Sequence, residues 1–286
     1  MKKRSLVVII CILVLAASLS LTACSGLFSS SAEPSRSYID IGKVDDPRTA
    51  SIVANNTMES CVRVITEYKS GLTSASSGFV ITEDGYVLTN RHCVVRFNST
   101  GSDTTGNVGE QPMTASYSVV FADNREYSAK LVAYSSSVDI ALLKIATINL
   151  PFISNEKRFQ PVVLETEEEL YYGERVYAIG NPENIGLILT ELTIASPAIK
   201  LNKADDFDSV ILDGNINHGN SGGPIFNAYS RVSGIVYARI EGTNKDTYGI
   251  GCAISTDMII AFLESVEHAK INYKTTPVSS SGEAAA

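Results

Sequence analysis

Ser221 stands in the string Gly219, Asn220, Ser221, Gly222, Gly223, Pro224, whose small residues let the backbone turn sharply and approach a ligand closely. A serine hydroxyl attacks a carbonyl only when a base removes its proton, and the developing oxyanion needs N–H donors already in place. Alone, the string also fits a glycine-rich turn, so its meaning depends on a histidine and a carboxylate elsewhere. His92 lies near the end of residues 85–94 (GYVLTNRHCV), and Asp139 opens residues 139–145 (DIALLKI). A carboxylate leading into a buried apolar strand can accept the second N–H of a histidine and fix its tautomer. In isolation His92 reads as a polar strand end and Asp139 as a turn residue. In the chain order His, Asp, Ser they become candidates for nucleophilic acyl transfer.

Short runs rich in Val, Ile and Tyr must hold these residues. They fall at 61–65, 78–82, 86–89, 118–122, 126–133 and 139–145, then at 175–180, 188–196, 209–212, 231–238 and 248–254. Turn residues such as Glu83, Asp84 and Gly85 separate them, and many short strands with turns between predict an all-β barrel or sandwich. A short helical pattern precedes them at 50–60. After Thr256 the apolar residues Met258, Ile259, Phe262, Leu263 and Val266 take helical spacing, which predicts a carboxy-terminal helix packed on the strands. Residues 98–116 form a polar excursion soon after His92, open to two readings: a loop over the active face, or a surface insertion.

The three strings together resemble the HtrA (Deg) family of bacterial serine endopeptidases, and 77–81 (SGFVI), 176–182 (VYAIGNP) and 249–254 (GIGCAI) agree as well. The histidine, aspartate, serine order is also that of chymotrypsin-like proteases. The resemblance implies two six-stranded antiparallel β-barrels with the catalytic residues in the cleft between them, inside a protease domain at 49–270. It gives Ser221 the role of nucleophile, His92 that of general base and acid, and Asp139 that of orienting carboxylate. The N–H groups of Gly219 and Ser221 would bind the oxyanion. Asn215 falls by analogy at the floor of the primary specificity pocket, where an amide points to small or medium apolar side chains at the cleaved bond. Asn220 stands where trypsin-like zymogens place an aspartate, so that activation route is closed. Relatives in this family usually carry PDZ domains after the protease, none is expected within 271–286, and a homotrimer is a possible assembly. Quality control of unfolded or misfolded envelope proteins is the first functional reading. A narrow-specificity regulatory protease and a non-catalytic, chaperone-like binding protein on the same scaffold stay open as alternatives.

Composition narrows the rest. The 286 residues are 44% hydrophobic and 19% charged, with a formal net charge of -8, which argues against nucleic acid as a partner. Residues 1–23 read as a secretory signal: a basic start at Lys2, Lys3 and Arg4, then an apolar run. That run ends in Leu21, Thr22, Ala23 and Cys24, which resembles the bacterial lipobox and implies that Cys24 is acylated and holds the chain to the membrane on its outer side. A flexible tether is expected at 24–48, and a disordered tail at 271–286. With Cys11 in the signal, Cys61, Cys93 and Cys252 remain, an odd number with no metal-binding spacing. Cys93 follows the histidine as in secreted trypsins, but residues 73–79, which by that resemblance would supply its disulfide partner, hold no cysteine, so no disulfide is expected at that place. No metal or cofactor is expected. His218 reads as an exposed loop residue, His268 as a helix-terminal cation, and the run Glu167, Glu168, Glu169 before Tyr171 and Tyr172 as a solvated face.

Overall fold

The computed structural model describes residues 48–95, 114–146, 159–201, 207–240, 249–267 and 271–277. The signal, Cys24, most of the tether, most of the 98–116 excursion, His268 and the end of the tail lie outside these residues.

Helix α1 (Thr49–Thr57) and a short 3-10 turn (Met58–Ser60) lead into the first barrel. Its strands are β1 (Cys61–Tyr68), β2 (Thr73–Val80), β3 (Tyr86–Thr89), β4 (Thr114–Phe121), β5 (Glu126–Tyr134) and β6 (Ala141–Ile145). They close in the order β1-β2-β3-β6-β5-β4, all antiparallel. Helix α2 (Arg91–Val94) is a single turn between β3 and β4.

The second barrel is built from β8 (Arg175–Gly180), β9 (Ile188–Ile199), β10 (Ser209–Asp213), β11 (Pro224–Phe226), β12 (Val232–Arg239) and β13 (Ile250–Ser255). The β11–β12 pairing closes the ring β11-β8-β9-β10-β13-β12. Two short strands, β7 (Val163–Leu164) and β14 (Lys274–Thr275), add to its edge in parallel. The three-residue strand β11 escaped the sequence reading, being too short to show a period and opening with a proline. Helix α3 (Thr256–Ser265) buries Ile259, Phe262 and Leu263, on the face the spacing predicted.

Three apolar clusters explain the packing. Val62, Val64, Val87, Val119 and Leu143 fill the first barrel, and Val176, Leu192, Ile194, Val210 and Val236 fill the second. A third cluster joins Phe79, Leu88 and Leu142 of the first barrel to Tyr177, Ile179 and Phe226 of the second, with Phe262 from α3. Neighbouring residues such as Leu142 and Leu143 therefore face different cores. Strands buried on both sides read as unbroken apolar runs, which is why residues 139–145 and 175–180 do not alternate.

The tail differs from the expected disorder over 271–277. Thr276 donates its N–H to the Leu164 carbonyl at 3.0 Å, and its hydroxyl to Glu165 Oε1 at 2.8 Å. Glu165 is the reason. Its nearly buried carboxylate also takes the N–H groups of Thr166, Glu167 and Glu168, the Asn227 amide at 3.0 Å and Arg231 at 3.2 Å. Burial by itself would raise its pKa, but these donors together hold it below the usual carboxylate value.

Candidate active site

Strand β3 ends at Thr89, and the chain passes through extended Asn90 into helix α2. The first N–H groups of a helix lack partners within it. Here Asp139, from the loop before β6, supplies them. Its carbonyl accepts the Asn90 side-chain Nδ2 at 2.7 Å and the Arg91 backbone N–H at 3.4 Å. Its Oδ1 accepts the His92 N–H at 2.9 Å, and its Oδ2 lies 2.5 Å from His92 Nδ1. The same residue thus anchors the turn that carries the imidazole and orients the ring.

Electrostatics follow from that contact. Burial of His92, the largest single influence, favours the neutral ring, but the contacts with Asp139 and Cys93 together outweigh it, and the pKa is raised to about 10. His92 remains 48% exposed and Asp139 19%, so solvent still reaches the pair.

Ser221 lies in the loop between β10 and β11. Gly219 (φ 95°) and Gly222 (φ 85°) occupy the left-handed region, and both sites are closed to a side chain. A Cβ on Gly219 would lie 2.2 Å from the Asn181 carbonyl oxygen, and one on Gly222 would lie 2.1 Å from that of Ser77. Ser77, buried on β2 of the first barrel, ties this loop down. Its hydroxyl donates to the Gly219 carbonyl at 2.7 Å and accepts the Asn181 N–H at 2.8 Å, while its own N–H donates to the Ser221 carbonyl at 2.9 Å. The His218 carbonyl accepts the Glu183 N–H at 2.8 Å. In a trans peptide the next N–H points the opposite way, so this bond sets the direction of the Gly219 N–H. Among the described residues, the N–H groups of Gly219 and Ser221 donate to no other group.

The structure joins His92 to Asp139 and places Ser221 close by without a hydrogen bond to the imidazole. The Ser221 hydroxyl donates to the Tyr237 carbonyl at 3.5 Å. His92 Nε2 instead faces Cys93 Sγ at 3.5 Å, and that sulfur lies 3.8 Å from the Ser221 carbonyl oxygen. Cys93 is one of three free, buried cysteines among the described residues. Asn215 is exposed. His218, also exposed, accepts from Arg239 Nη2 at 3.0 Å. Asn220 is buried, its side chain packed where a Cβ on Gly180 would stand. Sequence reasoning missed Ser77, Tyr237 and Arg239, which reach the serine loop only through the meeting of the two barrels and the closure of the second. For Ser77 a signal existed in SGFVI, read only as part of the resemblance. Among the described residues, no cluster of ligating side chains could hold a metal.

Comparisons with known proteins agree with this geometry. Residues 76–235 match the trypsin-like peptidase domain. The chain is 30% identical over 191 residues to the probable periplasmic serine endoprotease DegP-like of Rhizobium meliloti (strain 1021), covering 66% of this chain and 33% of the relative. It is 31% identical over 183 residues to the protein of the same description from Chlamydia muridarum, covering 64% and 31%. The chain thus spans about a third of the length of these relatives. Among solved structures, the HtrA-type protease AlgW with tripeptide has a TM-score of 0.61 at 24% identity, over 77% of this chain and 64% of that one. The active form of the Rv3671c protease from M. tuberculosis scores 0.60 at 22% identity, over 79% and 88%. These two likenesses establish the fold, and the family match establishes the lineage. With a catalytic-type His–Asp pair and a glycine-framed serine loop at the junction of two closed six-stranded barrels, the chain belongs to the family of trypsin-like peptidase domains.

Proposed function

We propose that the chain is a serine endopeptidase that cleaves unfolded or misfolded polypeptides at the bacterial envelope, held to the membrane through lipidated Cys24. The observation that carries this reading is the His92–Asp139 pair beside the Ser221 loop, with the Gly219 and Ser221 N–H groups unengaged among the described residues. The DegP-like relatives, described as periplasmic, and the basic, apolar leader with its Cys24 support the compartment. Polypeptide is the substrate, no cofactor takes part, and a homotrimer is the assembly proposed by analogy.

Catalysis begins when the Ser221 hydroxyl turns from the Tyr237 carbonyl to His92 Nε2. Neutral His92 takes its proton as the oxygen attacks the peptide carbonyl. Asp139 stabilises the resulting imidazolium and keeps the ring in register, and the Gly219 and Ser221 N–H groups receive the oxyanion. His92 then protonates the leaving amine, and water resolves the acyl-enzyme along the same path. Two assays on the full chain test this: casein cleavage, and labelling by a serine-directed fluorophosphonate with substrate present. Both should vanish in Ser221→Ala; equal cleavage by wild type and variant overturns the mechanism.

A further inference from the structure

Strands β3 and β6 pair as far as Thr89 and Ala141, and beyond that point the two chains part as one turns into helix α2. The backbone contact there is long: the Arg91 N–H reaches the Asp139 carbonyl at 3.4 Å. A side chain makes the closer one, with Asn90 Nδ2 donating to the same carbonyl at 2.7 Å. Asn90 is fully buried, and its Oδ1 has no hydrogen-bond partner among the described residues. Turning the amide over would set that oxygen against the Asp139 carbonyl, acceptor to acceptor, so the N–H group must be the one that faces Asp139. Burying an acceptor without a partner is unfavourable, and an apolar side chain would avoid it. The donor toward Asp139 is what an amide offers at this position.

Thr89, the residue before it, is tied to the serine side. Its hydroxyl donates to the Ser77 carbonyl at 2.7 Å, and the Ser77 N–H donates to the Ser221 carbonyl at 2.9 Å. A Cβ on Gly222 would lie 2.4 Å from Thr89 Oγ1, so that hydroxyl packs against the residue after the candidate nucleophile. Two adjacent buried side chains at the end of β3 thus serve different segments, Thr89 the serine loop and Asn90 the carboxylate, and the turn that follows carries His92. Because Asp139 accepts both the His92 N–H and the contact from Nδ1, a shift of its backbone is passed on to the ring. The titratable groups that act on His92 most strongly are Asp139 and Cys93, and Arg91, on the same turn, places Nη1 on the Ser136 carbonyl at 3.0 Å.

We propose that Asn90 is a positioning residue for the His92–Asp139 pair: by holding the Asp139 backbone it keeps the carboxylate in register with the imidazole, while Thr89 holds the serine loop through a separate contact. The proposal rests on the endopeptidase reading and adds to it a residue that touches neither the substrate nor the reacting atoms. Misplacement of a catalytic group by about 1 Å costs about a hundredfold in rate, so one hydrogen bond to the backbone of Asp139 can matter to turnover.

The test uses the full chain in detergent, with kcat and KM followed across pH on one fluorogenic peptide. Asn90→Ala and Asn90→Leu, the second filling the space without a donor, should each lower kcat by about ten- to a hundredfold with KM within about twofold. Both should also move the pH limb by about one unit toward the ordinary imidazole range. Thr89→Val should lower kcat and leave the limb in place, since its contact serves the serine loop. General loosening of the fold would move both sites alike. NMR titration of the histidine-labelled chain reads the same difference without turnover: the His92 signal, identified by its loss in His92→Gln, should titrate about one unit lower in the Asn90 variants only. Melting curves show which variants are folded. In wild type the Asn90 side-chain N–H toward Asp139 should exchange slowly with solvent, and rapid exchange overturns the proposal without any variant. An unchanged limb and an unchanged His92 titration in a folded Asn90 variant overturn it too, as does an equal shift in Thr89→Val. If wild type neither cleaves casein nor takes the fluorophosphonate label, the endopeptidase reading fails, and the NMR titration still decides whether Asn90 holds the pair.

Discussion

At the scale of single residues, His92 as the proposed base should set the pH dependence. The ring must be neutral to accept the serine proton, and Asp139 and Cys93 raise its pKa toward about 10 against the effect of burial. Activity should therefore rise with pH well beyond the ordinary imidazole range, with a kcat/KM profile whose limb lies above about 6.5. Cys93→Ala removes one partner of the imidazolium and should move that limb to lower pH. The stability linkage has the opposite sense: the His92–Asp139 pair contributes fully below the unfolded value, and its contribution is lost as pH rises through the folded one. Asp139→Asn should lower kcat by about 10⁴-fold, because it favours the wrong tautomer and removes the charge. Ser221→Ala should lower it by about 10⁴- to 10⁶-fold. Steady-state kinetics on one peptide across these variants checks all three effects.

At the scale of elements, the serine loop is held from outside itself. Ser77 on β2 and Asn181 after β8 make the contacts that shape it. Ser77→Ala would leave the Gly219 carbonyl and the Asn181 N–H short of a partner, at about 1 to 3 kcal/mol of stability, and should lower kcat more than it raises KM. Gly219→Ala meets the Asn181 carbonyl at 2.2 Å. Displacing that peptide should weaken an oxyanion donor, and a loss of about 10²- to 10³-fold in kcat is the expected size. Thermal melts beside the kinetics separate strain from catalysis. Glu165 plays the corresponding role for β7, β12 and β14, and Glu165→Ala should destabilise by about 3 to 5 kcal/mol, because it strands Arg231 and three backbone N–H groups. Since the carboxyl pKa is lowered, its stabilisation is present above the unfolded value near 4.5 and is lost as pH falls through the folded value. Urea melts of wild type and Glu165→Gln between pH 7 and pH 3 should converge at the acid end.

At the scale of the whole molecule, two barrel interiors and a shared interface carry the fold, and Cys61, Cys93 and Cys252 are all buried and free. Burial raises the thiol pKa of Cys61 and of Cys252, the latter to about 11, so few thiolates form near neutral pH. Reductant should leave the melting temperature unchanged, and iodoacetamide should label these three cysteines only when the chain is unfolded. Mass spectrometry of peptides from native and denatured samples checks this. Early labelling of Cys93 alone would mean that the His92 contact opens readily.

Much of this protein was legible in its residues. The runs at 86–89, 126–133 and 175–180 correspond to strands, the spacing from Met258 to Leu263 to a helix, and the three candidate catalytic positions fall at the junction of the barrels. Such features depend on local period and on residue type, which a sequence displays directly. Other features depended on contacts between segments distant in the chain. The closure of the second barrel by β11, the order of 271–277 around Glu165, and the hold of Ser77 on the Gly219 carbonyl each join residues with no local pattern in common. The orientation of Ser221 toward Tyr237 and the reach of Arg239 to His218 belong to the same class. A side chain shows what it can donate or accept, but which partner it meets is set by how the two barrels pack.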